Sequence, residues 1–202
     1  MSDVSCRLCL YAPSGEPAAV AGALDAALKG GDVACVILPA DANASALAAA
    51  CAPLTQPRGV ALLASGASPA DVPRDADGLH MTAPSERDLA AAIKRLRPRG
   101  MVGAGGFDDR HAALLAGELE PDYVMFGTPQ AGIAGDVELV RWWAALFNVP
   151  VIAVIADIAD AGMMAGAGAE FVAAGDPVWR HPEGPAAAVA AINAALSEAE
   201  AA

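Results

Sequence analysis

Cations are the scarcest polar groups in this chain. Its 202 residues hold 12 Lys and Arg against 24 Asp and Glu, a formal net charge of −12. Such a balance excludes a nucleic-acid partner, because phosphate neutralisation needs clustered Lys and Arg. The only lysines are Lys29 and Lys94, both in helix-like segments. A Schiff-base enzyme, which needs a desolvated lysine in its site, is excluded on that ground. Aromatic residues make up only 4% of the chain, and there are four cysteines. Cys6 and Cys9 have C-x-x-C spacing but lie in a strand-like run, where residues three apart point to opposite faces. Cys35 and Cys51 have no second ligand pair beside them, so no zinc spacing exists. The four are read as small buried hydrophobes. Long apolar runs are missing too. The longest, Trp142 to Ala156, is broken by Asn148 and Pro150, whereas a spanning helix needs about 20 apolar residues. Met1-Ser2-Asp3 leads straight into a strand-like run without a charged leader. The expectation is a cytoplasmic protein with no membrane partner.

What the chain does have is small apolar side chains. Hydrophobic residues make up 55% of it, and the mean hydropathy is +0.41. Disorder needs the opposite composition. The length suits a single domain, residues 1–202, that buries most of its unfolded surface.

Apolar runs alternate with Ala-rich helical stretches along the whole chain. Strands are predicted at Arg7–Tyr11, Ala34–Leu38, Val60–Ala64, Gly78–Met81, Met101–Ala104, Tyr123–Gly127, Val151–Ile155 and Phe171–Ala174. Helices are predicted near Ala18–Lys29, Ser45–Ala52, Glu86–Leu96, Asp108–Glu118, Val137–Phe147 and Ala159–Ala167, with a last one from about Pro185. The stretch from Ser65 to Asp77 contains Pro69 and Pro73 and has room only for a short helix. The strands read as continuous apolar runs, the mark of parallel strands covered on both faces. Eight such units predict a (β/α)₈ TIM barrel; the rival is an open doubly wound sheet. Ser85 is a candidate N-cap for the helix at Glu86. Arg95, Arg97 and Arg99 sit at that helix's far end, where cations complement the helix dipole or form an anion patch.

In a barrel, ligands meet the C-terminal ends of the strands. The residues at or beside those ends that can contact a ligand are Asp41, Ser65, His80, Thr82, Gly105, Gly127, Thr128, Gln130, Ala156 and Gly175. Asp41, Asp157 and Asp176 would make a divalent-cation site if they converged; otherwise each caps its following helix. Gly103-Ala104-Gly105-Gly106 offers backbone N–H groups to an anion, or is simply a tight turn. His80 is either an interior residue or a catalyst. Trp142 and Trp143 are adjacent on one helix, so one of them must face away from the barrel.

Four segments resemble the thiamine phosphate synthase family and its relative thiazole tautomerase. Asp77-Gly78-Leu79-His80-Met81 is similar to the family's A-D-G-V-H-L strand, and Val102-Gly103-Ala104-Gly105 to its I-G-x-S strand. Pro121 to Gly127 resembles G-A-D-Y-x-x-x-G. Val149 to Ala153, followed by Ala167 to Ala173, resembles I-P-V-V-A and A-G-A-x-G-V-A. The resemblance implies a barrel that joins hydroxymethylpyrimidine diphosphate to a thiazole phosphate, with Mg²⁺ holding the departing diphosphate. Several family motifs are replaced here. Q-x-R-x-K after the second strand reads Ile37-Leu38-Pro39-Ala40-Asp41, I-N-D reads Leu63-Ala64-Ser65, and Gly-Gly after the seventh strand reads Ile155-Ala156. Two other classes of function therefore stand beside the transferase. One is a repurposed barrel binding another small molecule, phosphorylated or not. The other is an interaction protein, in either case as a candidate homodimer.

Overall fold

Each of eight short apolar runs forms a strand, and the strands pair in chain order into a closed parallel barrel, β8 returning to β1. The computed structural model describes residues 5–107, 109–129, 132 and 134–201. The strands are β1 (Arg7–Tyr11), β2 (Cys35–Leu38), β3 (Ala61–Ser65), β4 (Gly78–Thr82), β5 (Met101–Phe107), β6 (Tyr123–Phe126), β7 (Val151–Ile155) and β8 (Phe171–Ala174). The helices are α1 (Pro17–Ala27), α2 (Ala44–Thr55), α3 (Glu86–Leu96), α4 (Arg110–Gly117), α5 (Val137–Leu146), α6 (Ala161–Gly166), α7 (Asp176–Trp179) and α8 (Pro185–Ala201).

Alternation along each strand sorts the side chains into two cores. Leu8, Leu10, Val36, Leu62, Leu79, Val102, Val124 and Ala153 point outward under the helices. Cys9, Tyr11, Ile37, Leu63, Tyr123, Met125, Ile152 and Val154 fill the barrel. Both faces are apolar, which is why the runs show no polar alternation. Cys6 and Cys9 fall in different cores, as strand geometry requires. The register pairs Cys9 with Cys35 across β1 and β2, a neighbourhood invisible in their spacing.

Two stretches differ from the sequence reading, and a third keeps only the short helical turn it allowed. β5 does not end at Ala104 but runs on to Phe107. Gly106 takes a φ of 77°, and the register slips there. A left-handed glycine bulge lets the strand continue, so Phe107 buries and pairs with Phe126. The Gly103–Gly106 stretch is thus strand, not an anion-binding turn, and α4 opens later, capped by Asp109. α6 is trimmed because a 3-10 turn over Ile158–Asp160, capped by Asp157, precedes it. The β3–β4 connection carries no α-helix, only a 3-10 turn over Pro69–Asp71 locked by a Ser68/Asp71 capping box. Among the described residues no helix is long and apolar enough to cross a membrane.

Candidate functional site

The barrel interior is plugged by a polar set built around two glycines. Gly103 and Gly105 face inward on β5. A Cβ on Gly103 would lie 1.9 Å from Cζ of Tyr123, and one on Gly105 would lie 2.9 Å from Cε1 of His80. Their missing side chains therefore leave the room that the Tyr123 and His80 rings occupy. His80 Nδ1 lies 2.8 Å from the Tyr123 hydroxyl. The two rings stack at 5.8 Å, and Tyr11 meets His80 edge-on at 6.1 Å. Tyr11 in turn shares a 2.6 Å hydrogen bond with Ser65 Oγ, and Ser65 is His80's register partner on β3. No buried side-chain N or O among the described residues lacks a partner. His80 is only 2% exposed, and burial lowers its pKa from 6.5 to about 4. It is therefore a neutral imidazole at neutral pH, able to hydrogen-bond but not to offer charge to a phosphate. Burial also pushes the Tyr123 phenol well above its usual range.

Above this plug the strand ends form the mouth. The short helix α7 follows β8, with Gly175 as its N-cap. Its Trp179 Nε1 donates to the Tyr11 carbonyl at 2.7 Å, which ties the end of β8 to the end of β1. Beside that tie lies a hollow of about 380 Å³ lined by Tyr11, Ser14, Pro39, Pro129, Gly175 and Trp179. A second hollow, about 400 Å³, adjoins it through the shared Asp176 and is lined by Ala156, Asp157, Arg180 and His181. Across the mouth, Gly106, Gly127, Thr128 and Asp136 line a third, about 250 Å³. Thr82 belongs to that side, since a Cβ on Gly106 would sit 2.9 Å from Thr82 Cγ2 and 3.6 Å from Thr128 Cγ2.

The candidate residues thus separate into groups. Ser65 and His80 are part of the interior plug. Thr82, Gly105, Gly127 and Thr128 lie on the β4–β6 side, and Ala156, Asp157, Gly175 and Asp176 on the β7–β8 side. Gln130 lies outside the described residues. The three aspartates do not form the convergent cation site. Asp41 accepts from the Asn43 N–H at 2.8 Å and lines none of these hollows. Asp157 accepts from Ala159 at 3.0 Å, and Asp176 pairs with Arg180 at 3.1 Å. Each carboxylate serves its own loop or helix start, and no cluster of three or more potential ligands exists among the described residues. Tyr11, Tyr123 and Trp179 were missed from the sequence. Period-two alternation from Cys9 places Tyr11 inward; nothing local marks Trp179.

On the outer wall, Trp143 is the inward-facing member of its pair. It is fully buried, stacks on Phe147 at 4.1 Å and donates from Nε1 to the Val149 carbonyl. Trp142 faces outward beneath Arg110, whose guanidinium lies 5.1 Å from the ring centre.

Comparison with known proteins places these features in context. The family described as thiamine monophosphate synthase matches residues 9–178. A thiamine-phosphate synthase of Rhodospirillum centenum is 36% identical over 201 residues, covering 93% of this chain and 96% of that protein. One from Hyphomonas neptunium is 35% identical over 126 residues, covering 59% and 57%. Among solved structures, a thiamine phosphate pyrophosphorylase from Pyrococcus furiosus superposes with a TM-score of 0.77 at 19% identity, covering 96% of each chain. An orotidine 5′-phosphate decarboxylase from Pyrococcus horikoshii gives 0.71 at 16% identity, covering 94% of this chain and 99% of that one; likeness at these identities speaks to the barrel alone.

Proposed function

The chain belongs to the thiamine monophosphate synthase family, and from that premise we propose that it is a transferase of the thiamine-phosphate synthase type, working at the mouth of its barrel. In that reaction the bond between a hydroxymethylpyrimidine carbon and its diphosphate breaks, pyrophosphate leaves, and a thiazole phosphate nitrogen forms the new bond. The observation that carries the reading is the family match running through seven of the eight strands and into α7.

The mouth's two sides take different parts of such a substrate pair. The loops after β7 and β8, with a short extra helix, are the usual phosphate seat of this fold. Here they hold Gly175, which is buried, and the mouth's described cationic group, Arg180, with His181 beside it and Asp176 as its ion-pair partner. We place the thiazole phosphate there. Ser65, Tyr11 and His80 form the neutral floor on which an uncharged ring can rest.

Magnesium does not fit the residues present. After β3, where a ligand is needed, Asp71 accepts from the N–H groups of Ala67 and Ser68 and from the Ser68 hydroxyl. Among the described residues, the mouth's Asp41, Asp157 and Asp176 are engaged as above, and Asp136 accepts from the N–H groups of Glu138 and Leu139. No step is therefore derived through the metal. Segments 12–16, 39–43, 66–71, 83–85 and 156–157 also contain no Lys, Arg or His. Each charge-assisted bond to phosphate contributes about 1.5–3 kcal/mol, so grip on the diphosphate substrate is the weakest part of this site. That observation favours one second reading, a barrel that holds a phosphorylated ligand without turnover. Pyrophosphate release with both substrates decides between them. Release that requires both supports the transferase; saturable binding of the thiazole phosphate with no release supports the second reading; neither binding nor release overturns both.

A further inference from the structure

We propose that the chain carries a second anion site on the outer wall of the barrel, in the groove left by the helix-less β3–β4 connection, and that it takes a small diphosphate-class ligand. The groove has a volume of about 540 Å³, within the range of about 300–1,000 Å³ typical of small-molecule sites. Pro69 and Val72 of the connection form one wall, and Arg95, Arg97 and Arg99 at the end of α3 line the other. It exists because Pro69 and Pro73 prevent a covering helix.

The distribution of charge points to the ligand. Six of the chain's 12 cations fall between residues 74 and 99, namely Arg74, Arg87, Lys94, Arg95, Arg97 and Arg99. Of the other six, Arg7, Lys29, Arg58, Arg141 and Arg180 are in ion pairs, and Arg110 covers Trp142. No ion pair with a described carboxylate engages any of the six in this sector. Arg97 is fixed by donating to the Glu120 carbonyl, which leaves Arg95 and Arg99 as exposed, unpaired forks flanking it. Asp77 also lines the groove, but its carboxylate accepts from the Leu62 N–H at 2.8 Å. In a protein of net charge −12, three exposed guanidinium groups on one groove are a local concentration of positive charge that an anion can bridge. Guanidinium groups suit phosphoryl oxygens bidentately, and two forks on one groove match two phosphoryl groups. This site is separate from the mouth and does not depend on the transferase reading.

The test is calorimetric titration of the full chain with inorganic pyrophosphate, for wild type, for Arg95→Gln combined with Arg99→Gln, and for Arg180→Gln at the mouth. A saturable site that weakens tenfold or more in the double variant and persists in Arg180→Gln, with unchanged thermal midpoint, is expected. Amide exchange should slow on binding in residues 66–77 and 94–101. No saturable binding overturns the proposal. So does binding that the double variant leaves intact and Arg180→Gln removes, because the anion then sits at the mouth.

Discussion

Acid should weaken this fold through His80. Its imidazole lies in the barrel with Nδ1 on the Tyr123 hydroxyl, and burial holds its pKa at about 4 instead of 6.5. Between those values the unfolded chain binds a proton that the native state refuses, so stability rises with pH across the window. The contribution is complete above about 6.5 and is lost as pH falls towards 4. Acidification from about pH 7 to about pH 4.5 should therefore cost about 2.5 kcal/mol through this one group. That is a large share of a total stability of about 5–15 kcal/mol. Urea unfolding of wild type and His80→Gln at several pH values isolates the effect, since carboxylates titrate in both proteins and cancel in the difference. The variant starts less stable by a constant amount, and its loss on acidification should be smaller by about 2.5 kcal/mol. The His80 ring resonances give an independent reading. Parallel stability curves, or a His80 resonance titrating near 6.5, would refute the reasoning.

Gly103→Ala puts a Cβ where Tyr123 Cζ lies, so the ring must leave His80; a loss of about 1–3 kcal/mol or more is expected, read by urea midpoint. The tryptophan pair should separate cleanly by the same assay. Trp143→Ala opens a core cavity beside Gly117, whose added Cβ would meet the indole at 2.4 Å, and should cost about 3–5 kcal/mol. Trp142→Ala, at a half-buried position, loses its contact with Arg110 and its edge contacts with Trp143 and Phe147 and should cost less, about 1–2 kcal/mol. Equal costs for the two would mean that the inward and outward assignments are wrong.

The barrel was legible because its physics repeats: eight apolar runs, each buried on both faces, leave few other arrangements. That the β3–β4 connection has room for no more than a short helix was legible for a local reason, two prolines in twelve residues. Features that depend on register were not. The Cys9–Cys35 adjacency and the His80–Tyr123 bond join residues 26 and 43 positions apart, and strand spacing alone does not specify either. The glycines of β5 were visible, but their use was misread. They read as an anion-binding loop or a tight turn, whereas Gly103 and Gly105 make space for rings and Gly106 bulges the strand. α7 spans four residues, too few to show a period, so the helix that completes the mouth left no trace. The aspartates were visible as types and ambiguous in role, because a cap and a metal ligand call for the same side chain.

Pyrophosphate release in the presence of hydroxymethylpyrimidine diphosphate, thiazole phosphate and Mg²⁺ tests the central claim most directly. The account predicts release that requires both organic substrates, saturates poorly in the diphosphate, and falls sharply in Arg180→Gln. No release at any diphosphate concentration would contradict it, as would release that ignores the thiazole phosphate.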